Sequence, residues 1–285
     1  MQTPLPTTAA PLLHRLLHAH PLLVFDADAL VDYPSVNPQD TWALACEALA
    51  DDADHLPRLL DLSDLSAADA DKVLAELDQS ENLTAPPLLL GDITPGADLG
   101  RWALTQVTQA PDTSKHWLRW HDVRVWANLL WIATPEQLAY LVGPARSVGW
   151  SWQGMWLQTE FPTGEKQMGP TKWSPAQWQQ IQSIGVINRV FARQGQPSVN
   201  DLPGRARQLA EADAQAHSMT IWDMASRVDF AEHTARYGQE FWQAAQFHPL
   251  MTRVATREAT YAEVAGAQTE EFWAELDNRV GRAKA

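Results

Sequence analysis

The hydrophobic pattern changes character part-way along this 285-residue chain, and that change limits the possible folds more than any single motif. Before about residue 160, apolar runs are short and bounded by carboxylates, Pro or Gly, as at 21–26, 55–60 and 88–90. Runs of this kind read as buried strands. Between them, residues 41–50 (Trp42, Ala45, Cys46, Leu49), 66–77 and 99–108 carry helical spacing. Ser66 and Asp69 occupy capping-box positions ahead of a stripe of Val73, Leu74 and Leu77. Strands alternating with helices predict an α+β or α/β lobe over residues 21–160, with a small mixed, partly parallel sheet flanked by helices. Residues 1–20, rich in Pro and Ala, read as a loose lead-in, and 161–175, with three Pro and two Gly, as a linker.

From 176 to 285 the spacing is helical almost throughout, which predicts an all-helical second lobe. Ser174-Pro-Ala-Gln177 starts it, with Ser at the N-cap, Pro at the first helical position and Gln at the third. Further helices are expected at 202–217, 221–247, 250–265 and 269–280, with breaks at Pro203, Pro249 and Gly266.

No run approaches the roughly 18–20 apolar residues that cross a bilayer. Arg15, His14, His18 and His20 interrupt the one candidate signal-peptide core. The single cysteine, Cys46, cannot form an internal disulfide and reads as a small core residue. A cytoplasmic protein is expected, with no membrane contact. The net charge of −14 is unevenly spread. Residues 1–100 hold 17 acidic side chains against three basic (Arg15, Arg58, Lys72), whereas 101–285 hold 18 of each. Such a first third repels phosphate backbones and argues against nucleic-acid binding. It either keeps the chain soluble or steers a basic partner.

One pattern points to catalysis. In Val24-Phe-Asp-Ala-Asp28, two carboxylates two residues apart follow an apolar strand, as in magnesium-dependent phosphatases of the haloacid-dehalogenase type. The rest of that machinery is missing. Leu30 stands where a hydroxyl residue should, Lys72 is the only lysine before residue 115, and Gly91-Asp92 supplies half of a later acidic pair. His14, His18 and His20 lack a third-ligand motif, and His121-Asp122 has no nucleophile to serve. Neither metal nor cofactor is expected.

Tryptophan is concentrated: ten of fourteen fall between Trp102 and Trp178. Within that stretch stand Leu118-Arg-Trp120, Asp122-Val-Arg124, a helical run over 125–132, the cap Thr134-Pro-Glu-Gln137, Gly143-Pro144 and a Trp-rich strand containing Trp150 and Trp152. This order resembles the adaptor, or effector-chaperone, family of bacterial type VI secretion (the Tap/Tec type). There, an aromatic–Arg–aromatic strand runs into an Asp-x-Arg turn, a capped helix, a Gly-Pro and a Trp-rich strand. Leu22-Leu-Val-Phe-Asp26 and Pro87-Leu-Leu-Leu90 are similar to the family's earlier strands. The resemblance covers about residues 20–160. His121 replaces the usual Tyr or Phe, Val123 the usual Pro, and the helical third is divergent.

The resemblance implies a protein that binds a secretion effector as cargo and helps load it onto the VgrG spike, without catalysis. Trp and Arg dominate interface hot spots. Arg119, Trp120, Arg124, Trp150, Trp152, Trp222 and Trp242 are therefore candidates for partner contact. Asp122, Gly143 and Pro144 are candidates for a structural corner, Asp122 as the cap of the helix that follows. Cargo binding is assigned to 176–285. The alternatives are a small metal-dependent phosphatase using Asp26 and Asp28, and a protein-interaction module outside secretion.

Overall fold

The computed structural model describes residues 7–9, 17, 19–43, 56–78, 86–91, 93, 107–161 and 172–284. His14, His18, Cys46, Asp92, and most of the expected helices at 41–50 and 99–108 and of the linker lie outside them. Two compact units emerge, Met1–Trp178 and Gln179–Ala285.

The first unit is built on β1 (Thr7–Ala9), β2 (Leu22–Phe25), β3 (Trp42–Ala43), β4 (Arg58–Asp61), β5 (Leu88–Gly91), β8 (Ser147–Trp152) and β9 (Met155–Glu160). They form one sheet in the order β1-β9-β8-β5-β2-β4-β3. The α+β expectation holds, but the parallel component of the expected mixed sheet does not: every described pairing is antiparallel. The reason lies in β2. Strand β4, helix α1 (Ala67–Asp78) and β5 do form a crossover between strands of one direction. However, β2 lies between them and runs the opposite way to both. A strand–helix–strand pattern fixes the directions of its two strands but not what pairs between them.

All four residues of β2 and of β5 are buried, so neither shows the alternation of a half-solvated strand. On one face Leu23, Phe25, Leu60 and Leu89 pack with Val73 and Leu77 of α1. Gly91 is required by close approach: a Cβ there would lie 2.5 Å from His20 Cδ2 and 2.6 Å from both Ala19 O and Ser147 Oγ. Strands β8 and β9 turn at Gln153 (φ 52°) and Gly154 (φ 73°). Positive φ at both centres gives the two-residue hairpin turn whose twist matches the strands. Residues 42–43 and 107–108 are in strands where helix was expected, because ladders claim them. Trp42 pairs with Leu59, and β6 (Val107–Gln109) with β7 (Lys115–Trp117).

The expected helix caps are present. Asp122 caps α2 (Val123–Ile132), accepting from the Arg124 amide at 2.8 Å. Thr134 and Gln137 form a full capping box at the start of α3 (Pro135–Leu141). Ser174 and Gln177 bond each other's amides at the start of α4 (Pro175–Gln194). The two cap glutamines also meet, with Gln177 Nε2 donating to Gln137 Oε1 at 2.8 Å and to Ile132 O at 3.0 Å. One capping device thus serves twice and joins the two helix starts.

The second unit continues α4 and adds α5 (Leu202–Ser218), α6 (Met224–Tyr237), α7 (His248–Ala255), α8 (Tyr261–Gly266) and α9 (Glu270–Lys284). Its core gathers Phe230, Phe241, Phe247 and Tyr261 around Ile221, Val254 and Val264. Pro203 and Pro249 begin helices rather than break them, since a proline in the first turn gives up no intrahelical bond. The expected 221–247 helix ends at Gly238, φ 95°, and the expected 250–265 helix is interrupted at Arg257, φ 60°.

Candidate functional site

Asp26 ends β2 and caps the turn that follows, accepting from the Asp28 amide at 3.2 Å. Its buried carboxylate forms an ion pair with Arg119, 93 residues away. His121 Nε2 stands 4.0 Å from the same carboxylate oxygen. The His121 ring is fully enclosed, and its Nδ1 has no hydrogen-bond partner among the described residues. Burial, aided by the Arg119 charge, pushes its pKa down to about 4 against the pull of Asp26 and Asp122. His121 is therefore neutral near pH 7.

A second, local pair of carboxylate and guanidinium follows at Asp122 and Arg124. Arg124 grips Asp122 with two parallel bonds, Nε to Oδ1 at 3.0 Å and Nη2 to Oδ2 at 2.7 Å. Burial raises the Asp122 pKa, but the Arg124 bonds and charge outweigh it and hold the carboxyl below the usual range. The Arg124 backbone carbonyl accepts from the buried Asn128, whose amide oxygen accepts from Trp131. Two buried carboxylates thus anchor two arginines whose side chains remain 45% and 40% exposed. At Arg124, charge-assisted bidentate pairing fixes the geometry, so that guanidinium can present its remaining donors at the surface on a rigid base.

The candidate partner residues separate sharply by burial. Trp120, Trp150 and Trp152 are 0%, 1% and 2% exposed, so they belong to the core and not to a contact surface. Trp120 packs edge-on against Trp126, and Trp150 Nε1 donates to Thr159 Oγ1 at 3.1 Å inside the sheet. The large apolar area of indole explains this, since a lobe with so many rings lowers its free energy most by burying them. Trp242 is partly buried, packed on the helical core with its N–H on Gln239 O. Of the candidate tryptophans, Trp222 alone is prominently exposed, at 60%. Gly143, φ 58°, supplies the left-handed residue that ends α3, and Pro144 follows it.

Asp26 and Asp28 do not converge as a metal-binding pair would. Asp26 is buried against Arg119, and Asp28 is an exposed residue. Among the described residues no group of three or more His, Cys, Asp or Glu is placed to hold a metal ion. No described helix is long and apolar enough to cross a membrane.

The residue pair that organises the corner, Asp26 with Arg119, has no local signal, because its members are distant in sequence. A second feature has no arginine–aromatic motif to mark it: a groove of about 450 Å³ in the helical unit, bordered by Trp222, Asp223, Arg257 and Glu258. No family model, curated protein or solved structure matches this chain.

Proposed function

We propose that this chain is a cytoplasmic adaptor of type VI secretion, which holds an effector and helps deliver it to the VgrG spike by binding alone. The observation that carries the reading is the ordered series from Leu118-Arg-Trp120 through Asp122-Val-Arg124 and Thr134–Gln137 to Gly143-Pro144 and Trp150. The geometry supports it in one respect. The polar members of the series are engaged locally, Asp122 capping α2 and pairing with Arg124, and Thr134 with Gln137 capping α3. A guanidinium has five N–H donors, and Arg124 commits only two nitrogens to Asp122. Arg119 and Arg124 therefore keep donors for a partner's carbonyls or carboxylates. The exposed Trp222 offers a second, separate contact point, of the type that forms hot spots.

Co-expression with the effector and VgrG proteins encoded beside it, followed by affinity purification through this chain, tests the reading. A stoichiometric complex with effector or spike is expected. Recovery of the chain alone, from cells that contain both partners in folded form, would overturn it.

A further inference from the structure

The groove in the helical unit lies between two helix–turn–helix corners built on one plan. After α5, the Ile221 amide donates to Ala216 O at 3.0 Å and the Thr220 amide to His217 O at 3.1 Å. After α7, the Glu258 amide donates to Arg253 O at 2.9 Å and the Arg257 amide to Val254 O at 3.0 Å. Both are Schellman turns, which place a left-handed residue just past the helix. Here Thr220 (φ 61°) and Arg257 (φ 60°) take that role instead of glycine. Three residues later, Asp223 and Thr260 cap the next helices.

This plan fixes the groove's chemistry. The floor is apolar and shallow: Ile221 and Val254, 2% and 6% exposed, reach it, and Tyr261, fully buried, lies beneath them. The rim is charged, with Asp223, Glu258 and Glu263 against the single cation Arg257. Each of the three carboxylates uses one oxygen within the chain, bonded to the Ser226 amide, the Thr256 hydroxyl and the Thr260 amide respectively. The second oxygen of each remains able to accept. Trp222 stands on the rim, packed edge-on against the His217 ring at 5.2 Å.

We infer that this groove binds an extended basic–apolar peptide segment of a partner protein. An apolar side chain would fill the floor, and an adjacent Lys or Arg would meet the acidic rim and the face of Trp222. Net negative charge at the rim selects a cation, and an indole face adds cation–π attraction. The inference deepens the adaptor reading by naming the kind of cargo segment taken, and it rests on that reading for its biological setting.

Fluorescence anisotropy of the full chain with labelled Gly-Leu-Lys-Leu-Arg-Gly, beside the same peptide with Glu for Lys and Arg, tests it. The basic peptide is expected to bind, more weakly as salt rises from about 0.05 to about 0.3 M, and the acidic one not to bind. Trp222→Ala and Glu258→Lys are each expected to weaken binding about tenfold or more, with an unchanged melting curve. Equal affinity for both peptides, no binding of the basic one, or no response to Trp222→Ala overturns the groove. Co-purification separates the two claims. A Trp222→Ala chain that captures effector as well as the wild type sinks the groove and leaves the adaptor standing. A wild type that binds the basic peptide but captures neither effector nor spike sinks the adaptor and leaves the groove.

Discussion

The two units use tryptophan in opposite ways. In the first, where most of the indoles lie, Trp120, Trp126, Trp150 and Trp152 are enclosed. In the second, with only Trp222, Trp242 and Trp273, one ring stands largely in solvent at the edge of a groove. Density of a residue type along the chain therefore reports packing demand. A single ring left uncovered, where neighbouring rings are covered, is better evidence of a contact. The arginines divide in the same sense. Arg227 is buried against Asp213 by bonds of 2.7 and 2.6 Å, whereas Arg119 and Arg124 pair at the base and emerge at the tip.

The contrast breaks most directly by truncating one indole from each class. Trp126 is fully buried in α2, edge-on to both Trp120 and Phe161. Trp126→Ala is expected to cost about 3–5 kcal/mol through lost transfer energy and an unfilled cavity. Trp222→Ala should stay within about 0.5 kcal/mol, as for an exposed side chain without a structural task. Urea denaturation read by circular dichroism measures both. Similar costs for the two would erase the distinction between core and surface rings.

Acid titration sharpens the comparison next, because each unit covers a histidine, His121 fully and His233 in large part. Burial pushes both His121 and His233 down to about 4, His121 beside Asp26 and His233 among Tyr237, Tyr261 and Trp273. A folded-state pKa below the ordinary 6.5 means the unfolded chain takes up the proton first. The stability held by the neutral ring is therefore complete above about pH 6.5, is lost as pH falls from there to about 4, and is gone below. For His233 the loss is of order 3 kcal/mol. His121→Phe and His233→Asn should each flatten the decline of stability between those pH values. Phe suits the first site because Nδ1 has no partner to lose among the described residues, and Asn suits the second because it preserves a polar atom toward the Tyr261 hydroxyl. A wild-type curve that is flat from pH 6.5 to 4 would refute both assignments.

The helix starts were legible in the sequence because a cap is a local device. Asp122, Thr134 with Gln137, and Ser174 with Gln177 all act within three residues of themselves. Strands β2 and β5 were legible for the same reason, as short apolar runs with polar ends. Pairing was not, since the position of β2 between β4 and β5 depends on contacts across tens of residues. The Asp26–Arg119 pair hides similarly. The groove escaped for a different reason. The break at Thr220 was expected, but the second turn carries Arg257 where glycine would have announced a helix end, so 250–265 reads as one helix. A local signal did exist in Thr260-x-x-Glu263, a full capping box inside that span.

The matched turns allow the finest test. A left-handed conformation costs a residue with a Cβ roughly 1–2 kcal/mol, while glycine gives back about 0.5–1 kcal/mol through its freer unfolded state. Thr220→Gly and Arg257→Gly should thus each stabilise the chain by up to about 1 kcal/mol, with Thr220 gaining more because its β-branch crowds the turn. Their effects on the groove should differ. Thr220 carries no charge, so its replacement should leave affinity for the basic peptide unchanged. Arg257→Gly removes the one cation on the lining, and affinity should rise by a few-fold at low salt. Melting curves and anisotropy titrations on the same two variants read both quantities. Stabilisation without the charge-dependent difference would leave the turns explained as strained backbone and take the acidic rim out of recognition.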